Sequence, residues 1–435
     1  MEGDRFLSAL TSARPDGATI AEWSVYFSES RSFELGIKDR QIGNAHVPLK
    51  LAESCGAHYR LIWNDGKVSR GYVERRLLES APEAALSNAR AAAYDDPDAA
   101  WVLPAAPFPD VEMHDSAVAE MAAGDTRWLV PRLEAVQRRM QQPGFRTWSG
   151  SFSAGAGRSR VATSAGLDVN GESTSAGWHV TFNGEIGDGF SARALESETD
   201  FGARLDRLAE TATLLQRPGQ LPAGGSLPVI LHPHVVSRYA IGTLLDNLGG
   251  ATVAHGEGHF RREQFGSGTP VLREDIGFRI DPLRPLKSGS YRYTTEGLPA
   301  APCVYIERGR LVQPVLDLKY ARRLGLDPTP LPSDTDSMFF EGSAPLSVKE
   351  ALERAVGGAL VLSVLGVHTQ DSASGDFSLS APQTLAIDGN GLVGRVRATI
   401  SGNLFDLLSD DELRFVHFEG ENIPGLLCRC RLDPQ

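Results

Sequence analysis

The stretch Pro218-Gly219-Gln220-Leu221-Pro222-Ala223-Gly224-Gly225 constrains this chain more than any other. Its two prolines remove backbone donors and its three glycines relax the backbone, so neither a helix nor a central strand runs through it. It reads as a linker. The chain has 435 residues, long for one core. The linker therefore predicts two domains, 1–217 and 218–435.

Hydrophobic periodicity fills in each half. Residues 5–13 read as a short helix stopped by Pro15-Asp16-Gly17. Two strands follow, Glu22 to Phe27 and Ser32 to Lys38; in the second, Phe33, Leu35 and Ile37 alternate with polar or small residues. Asn64-Asp65-Gly66 between two strand-like runs signals a hairpin. Residues 74–93 read as helix broken at Pro82, 117–142 as two helices, and 201–216 as one. Between them, 148–190 suits several short antiparallel strands. The second half opens with the buried strand Pro228 to Leu231 and a helix from Pro233 to Asn247. Ser347 with Glu350 three residues on predicts a capped helix start. Phe377, Leu379 and Ala381, then Val396, Ala398 and Ile400, predict two strands joined by the turn Asp388 to Gly391. Strand runs and helix runs are partly segregated, which predicts an α+β fold rather than a doubly wound sheet.

Composition excludes some classes of function. The formal net charge is −12, which opposes approach to phosphate backbones, so direct nucleic-acid binding is not expected. The basic cluster Arg132, Arg138, Arg139 and Arg146 reads as a solvated helix face. The most apolar run, Ala359 to Val367, is far short of the roughly 20 residues that span a bilayer, and no basic-then-apolar leader is visible. A soluble cytoplasmic protein without membrane contact is the expectation. Cys55, Cys303, Cys428 and Cys430 include no C-x-x-C pair and read as reduced thiols.

Several segments, taken in order, carry a resemblance. They are Gly366-Val367-His368-Thr369, Ser374-Gly375-Asp376-Phe377-Ser378 and the run from Thr399 to Leu408, with Tyr320-Ala321-Arg322-Arg323-Leu324-Gly325-Leu326 upstream. The strand–helix pair from Val229 to Gly250 and the segment Gly36 to Ala93 add to them. Together they resemble the TldD/PmbA family, strongly from about residue 228 to 408. The resemblance implies a two-domain α+β fold with an N-terminal α/β domain and a C-terminal, mostly antiparallel β domain with helices. It also implies dimers that enclose a chamber, and a metallopeptidase that degrades or processes peptides. The family's label as modulators of DNA gyrase requires no DNA contact. In the TldD type a helix carries H-E-x-x-x-H which, with a distant Cys, holds a divalent metal that activates water. The PmbA/TldE type lacks these ligands and acts as the partner. Here the matching helix begins Leu231-His232-Pro233-His234-Val235-Val236-Ser237. His232 falls at the first ligand position, Pro233 where the Glu would be, and Ser237 where the second His would be. The resemblance therefore implies the PmbA/TldE branch: no catalytic residue and no cofactor in this chain, zinc in a TldD-like partner subunit, and a heterodimer or homodimer.

Two groups compete with that reading. His255-Gly256-Glu257-Gly258-His259 places two imidazoles and a carboxylate close in sequence. With His232 they could form a metal site of His232, His255, Glu257 and His259, making a self-sufficient metallohydrolase. Two glycines in five residues argue against the helix such a site needs. Ser374, Gly375, Asp376 and Phe377 read as a tight turn that could bind peptide at a chamber wall. No G-x-S-x-G elbow accompanies Ser374. A peptide-binding regulator without a peptidase partner is the third alternative.

Overall fold

The structure is a computed structural model that describes residues 3–41, 49–98, 102–222 and 224–435. Met1, Glu2, part of the Gly36 to Ala93 segment and Ala223 of the linker lie outside the described residues.

The first half is built on one antiparallel sheet. Its strands are β1 (Ile20–Gln41), β2 (Leu49–Trp63), β3 (Lys67–Glu74), β4 (Tyr94–Asp95), β5 (Thr147–Thr163), β6 (Asp168–Phe182) and β7 (Ile186–Ala192), in the order β4-β3-β2-β1-β5-β6-β7. The two strands expected between Glu22 and Lys38 are one strand of 22 residues. The short strands expected in 148–190 are three, two of them 17 and 15 residues long. The Asp65-Gly66 hairpin, the break at Pro82 and the pair of helices in 117–142 stand as read, the last as Ser116–Ala122 and Leu129–Met140.

One face of this sheet carries two separate helical groups. Val25 and Phe27 of β1 pack with Phe6, Leu10, Leu78 and Leu86 of the helices Asp4–Ser12, Arg75–Ser80 and Pro82–Ala91. Phe33, Leu35 and Ile37, on the same face by the period of two, pack with Val118, Val136, Phe201 and Leu205. Those residues belong to Ser116–Ala122, Leu129–Met140 and Glu198–Leu214. Arg132, read as part of a solvated face, is 4% exposed. It lies against the rings of Trp128 and Phe201 and donates to the carbonyls of Trp128 and Glu196 at 3.0 and 2.8 Å, so its charge is spent internally.

The second half begins at β8 (Gly225–Leu231). A small antiparallel sheet comprises β9 (Gly277–Ile280), β10 (Cys303–Glu307), β11 (Arg310–Leu311) and β12 (Met338–Glu341). The larger sheet adds β13 (Leu346–Ser347), β14 (Ala359–Leu365), β15 (Asp376–Asp388), β16 (Gly391–Asn403), β17 (Arg414–His417) and β18 (Gly425–Pro434) to β8. β8 pairs with β14 in parallel and with β18 antiparallel, while β18 also pairs with β16, so the sheet closes on itself. Val229 and Leu231 of β8 share the largest apolar cluster with Val235, Tyr239 and Leu244 of the following helical segment and with Phe278 and Tyr305. Ile230, on the opposite face, joins the cluster of the first half. Cys428 and Cys430 both point into the closed sheet and are free thiols. Among the described residues no helix is long and apolar enough to cross a membrane.

Candidate functional site

Where β8 ends, the chain turns into a helical segment at His232. The imidazole is the N-cap: its Nδ1 accepts the His234 backbone N–H at 3.2 Å, and Pro233 occupies the first helical position. The ring meets Phe418 edge-on at 4.9 Å between centroids. Burial, and then the neighbouring His234, push the His232 pKa down to about 4, so the ring is neutral near pH 7. From Val236 to Ile241 the backbone winds as a π-helix before resuming as Gly242–Leu248. A wide turn of this kind is uncommon and often accompanies function.

A metal at this helix would need the groups that Pro233 and Ser237 replace, and the Nδ1 of His232 is already an acceptor for backbone. The residues present do not fit the ion. The composite alternative is corrected as well. The helix Gly250–His255 ends at Gly256, whose left-handed backbone (φ 69°) caps it, so His255 and His259 are not on one helical face. His255 meets Tyr320 edge-on at 6.1 Å, whereas His259 stacks flat on Phe405 at 3.6 Å. Among the described residues no three His, Cys, Asp or Glu side chains gather to hold a metal, so His232, His255, Glu257 and His259 do not form one set.

The turn Ser374, Gly375, Asp376 and Phe377 is held from three sides. Tyr239, within the π-helical stretch, donates its hydroxyl to the Gly375 carbonyl at 3.2 Å and meets Phe377 at 5.2 Å. Asn403 donates to the Ser374 carbonyl at 2.9 Å and to the Asp376 carboxylate at 2.8 Å. Its own Oδ1 accepts from Phe405 and Asp406, capping the helix Leu404–Ser409. Asn247 bonds the Ser372 carbonyl at 2.7 Å and accepts the His259 N–H. Gly375 has φ +76°, and a Cβ there would collide with the Phe405 ring. Asp376 stays exposed while Phe377 is buried. The turn is thus a rigid junction that presents one carboxylate at its surface. Tyr239, Asn247 and Asn403 escaped the sequence reading; an Asn ahead of Leu404-Phe405 is an N-cap signal that could have exposed the last.

A second cluster lies on the seam between the halves. Arg204 reaches Glu196 at 3.4 Å, Glu421 at 3.7 Å and Asp188 at 3.8 Å. Its guanidinium also donates to the Gly420 carbonyl at 3.3 Å. Burial raises the pKa of both Glu196 and Glu421 against the pull of Arg204. His234 lies within the field of Asp188, though burial and Arg238 hold its pKa down. The start of the helical segment therefore faces a polar seam contributed by β7, the helix Glu198–Leu214 and the 418–421 loop. These residues are scattered over more than 200 positions, and no local pattern announces them.

Residues 224–416 match the PmbA/TldA metallopeptidase C-terminal domain. Over that stretch the chain is similar to the C-terminal domain of the PmbA/TldD proteins. TldE from Thermococcus kodakarensis is similar with a TM-score of 0.76 at 17% identity, over 95% of this chain and 97% of that one. A protein from Thermotoga maritima described as a modulator of a DNA gyrase is similar with a TM-score of 0.77 at 18% identity, over 99% of both chains. One from Bacteroides thetaiotaomicron, likewise described as a modulator of DNA gyrase, has a TM-score of 0.76 at 17% identity, over 100% of this chain and 97% of that one. At such identities these likenesses establish the fold. No curated protein matches the chain.

Proposed function

We propose that this chain is the PmbA/TldE-type subunit of a two-component cytoplasmic metallopeptidase. It completes a peptide chamber with a TldD-like partner that carries the divalent metal, zinc by preference, and it contributes no catalytic group. The observation that carries this reading is the use made of His232. At the position of a first ligand, its Nδ1 caps the helix it begins, and Pro233 follows where a general base would stand. Peptide is held by backbone pairing with modest sequence preference, which suits the processing of unfolded segments. The likeness to a TldE structure agrees with this branch.

The test is elemental analysis of the untagged chain purified without chelators, followed by mixing with a TldD-like subunit. Less than about a tenth of an equivalent of zinc, iron or manganese, with peptidase activity appearing only in the mixture, is the expected result. Close to one equivalent in the isolated chain, with activity of its own, would overturn the proposal. A chain that forms only a homodimer and never joins the TldD-like subunit would overturn the heterodimer.

A further inference from the structure

A proline- and glycine-rich stretch between two halves reads as a flexible tether. Here its first residues are joined to the second half instead. Arg395 of β16 donates its backbone N–H to the Arg217 carbonyl, and its own carbonyl accepts the Gly219 N–H, both at 2.8 Å. Pro218, between them, lies beside Arg395 as a parallel bridge. β18 covers β16 at Ala398 to Ser401, and a few residues earlier the linker adds itself to the strand.

The two backbones approach so closely that no side chain fits between them. A Cβ on Gly219 would lie 2.3 Å from the Gly394 carbonyl oxygen. One on Gly394 would lie 2.6 and 2.7 Å from the carbonyl oxygens of Arg217 and Pro218. These neighbours are backbone atoms that cannot swing aside, so glycine at both positions is a condition of the contact. The Arg395 side chain adds two ties. It donates to the Pro382 carbonyl at 3.1 Å, within the second half, and pairs with Glu185 in the turn between β6 and β7 of the first half. One arginine thus holds the linker and both halves together.

The rest of the seam agrees. The helix Glu198–Leu214, which leads into the linker, packs Phe201 and Leu205 into the same apolar cluster as Leu385, Ile387, Val416 and Leu427 of the second half. Polar ties stand at separate points along the seam: Lys319 pairs with Asp96 at 2.9 Å, the hydroxyls of Tyr293 and Ser159 meet at 3.0 Å, and Arg193 donates to the Ser290 carbonyl. Relative motion of two halves is the ordinary expectation unless their seam is large and apolar. Here one core crosses it.

We infer that residues 217–219 and the Gly394-Arg395 step of β16 form a clasp that fuses the two halves into one rigid, cooperative unit. Gly219 and Gly394 are its closing point, and the Arg395–Glu185 pair fastens it to the first half. The linker is therefore not a hinge, and the halves do not open about it to admit a ligand. This holds whatever ligand or partner the chain takes, so it goes beyond the proposed function and does not depend on it.

The experiment is urea unfolding of the full chain followed by two probes. All six tryptophans lie before the linker, so their fluorescence reports the first half, whereas far-ultraviolet circular dichroism reports both. A chain of this length ordinarily unfolds in more than one step. In the native chain the two transitions should nevertheless coincide. Gly394→Val drives a side chain at the Arg217 and Pro218 carbonyls and should separate the two midpoints by about 0.5 M or more. Separate transitions in the native chain, or coincident ones in Gly394→Val, would overturn the proposal. Hydrogen exchange of the native chain decides the matter if the variant does not fold. The Gly219 and Arg395 amides should exchange at least about a hundredfold more slowly than those of an unstructured peptide, and exchange at the free-peptide rate would overturn the clasp. Metal content and reconstitution play no part in these measurements, so this inference and the proposed function fall separately.

Discussion

Replacing His232 by Asn separates two things the imidazole does. Asn is as good an N-cap as any residue, so the bond to the His234 N–H survives in kind. What is lost is the ring against Phe418 and the titration. The edge-on contact is worth about 0.5–1.5 kcal/mol, and that is the expected cost at pH 7.5. The pH dependence follows from the lowered pKa. A folded pKa of about 4 against 6.5 means the unfolded chain binds the proton first as pH falls. The contribution is complete above the unfolded value and is lost on the way down to pH 4. Between pH 7.5 and pH 5 this amounts to about 2 kcal/mol if the ring were wholly enclosed, less for the part that reaches solvent. Urea denaturation of both proteins at the two pH values measures it. The native protein should lose more stability than His232→Asn, so the gap between them narrows or inverts at pH 5. Parallel losses would refute the view that His232 is held neutral, and with it the case that its nitrogen is committed to the cap.

Other outcomes follow from the same geometry. Gly375→Ala should cost at least about 2 kcal/mol in thermal unfolding, because it adds both a strained left-handed backbone and a collision with Phe405; a change under half of that would mean the turn is not fixed as described. Arg204→Gln leaves Asp188, Glu196 and Glu421 without their shared cation. Since the pKa of Glu196 and Glu421 is already raised, the folded state holds their protons longer than the unfolded one, and removing Arg204 raises them further. The variant should lose stability as pH rises from 5 to 8, by about 1–3 kcal/mol relative to the native chain, a trend that denaturation midpoints reveal or exclude.

Much of the fold was legible because local chemistry decided it. Pro82 breaks a helix, Asp65-Gly66 makes a hairpin, and Ser347 with Glu350 closes a capping box. The single strand β1 was not legible, and the reason is physical. Glu29 and Arg31 occupy positions on the face that carries Val25, Phe27, Phe33 and Leu35, but both are exposed. The apolar alternation therefore lapses in the middle of the strand, and one element reads as two. Arg132 was misjudged for the converse reason: a cation on a polar-looking helix found aromatic rings and carbonyls from Trp128, Phe201 and Glu196, which only tertiary structure brings near. At the candidate site, His232 at a helix start was visible. The seam around Arg204 was not, since its carboxylates come from separate elements.

The closing of the larger sheet has a bearing on how the chain folds. Both neighbours of β8 come late: β14 pairs it at Ala359 to Val361, and β18 pairs it at Leu426 to Leu432. On a ribosome, β8 emerges with neither, some 130 residues before the first and almost 200 before the second. Ordering it costs loop-closure entropy that is recovered only when those strands arrive, so the second half should fold slowly and after synthesis. In the first sheet β1 also waits for a distant partner, β5, but it has β2 as an early neighbour, and β2 with β3 and β5 with β6 are close in sequence, so pairing can begin while the rest is still being made. An apolar strand waiting that long is exposed to wrong partners. A chaperone should therefore matter more for the second half than for the first.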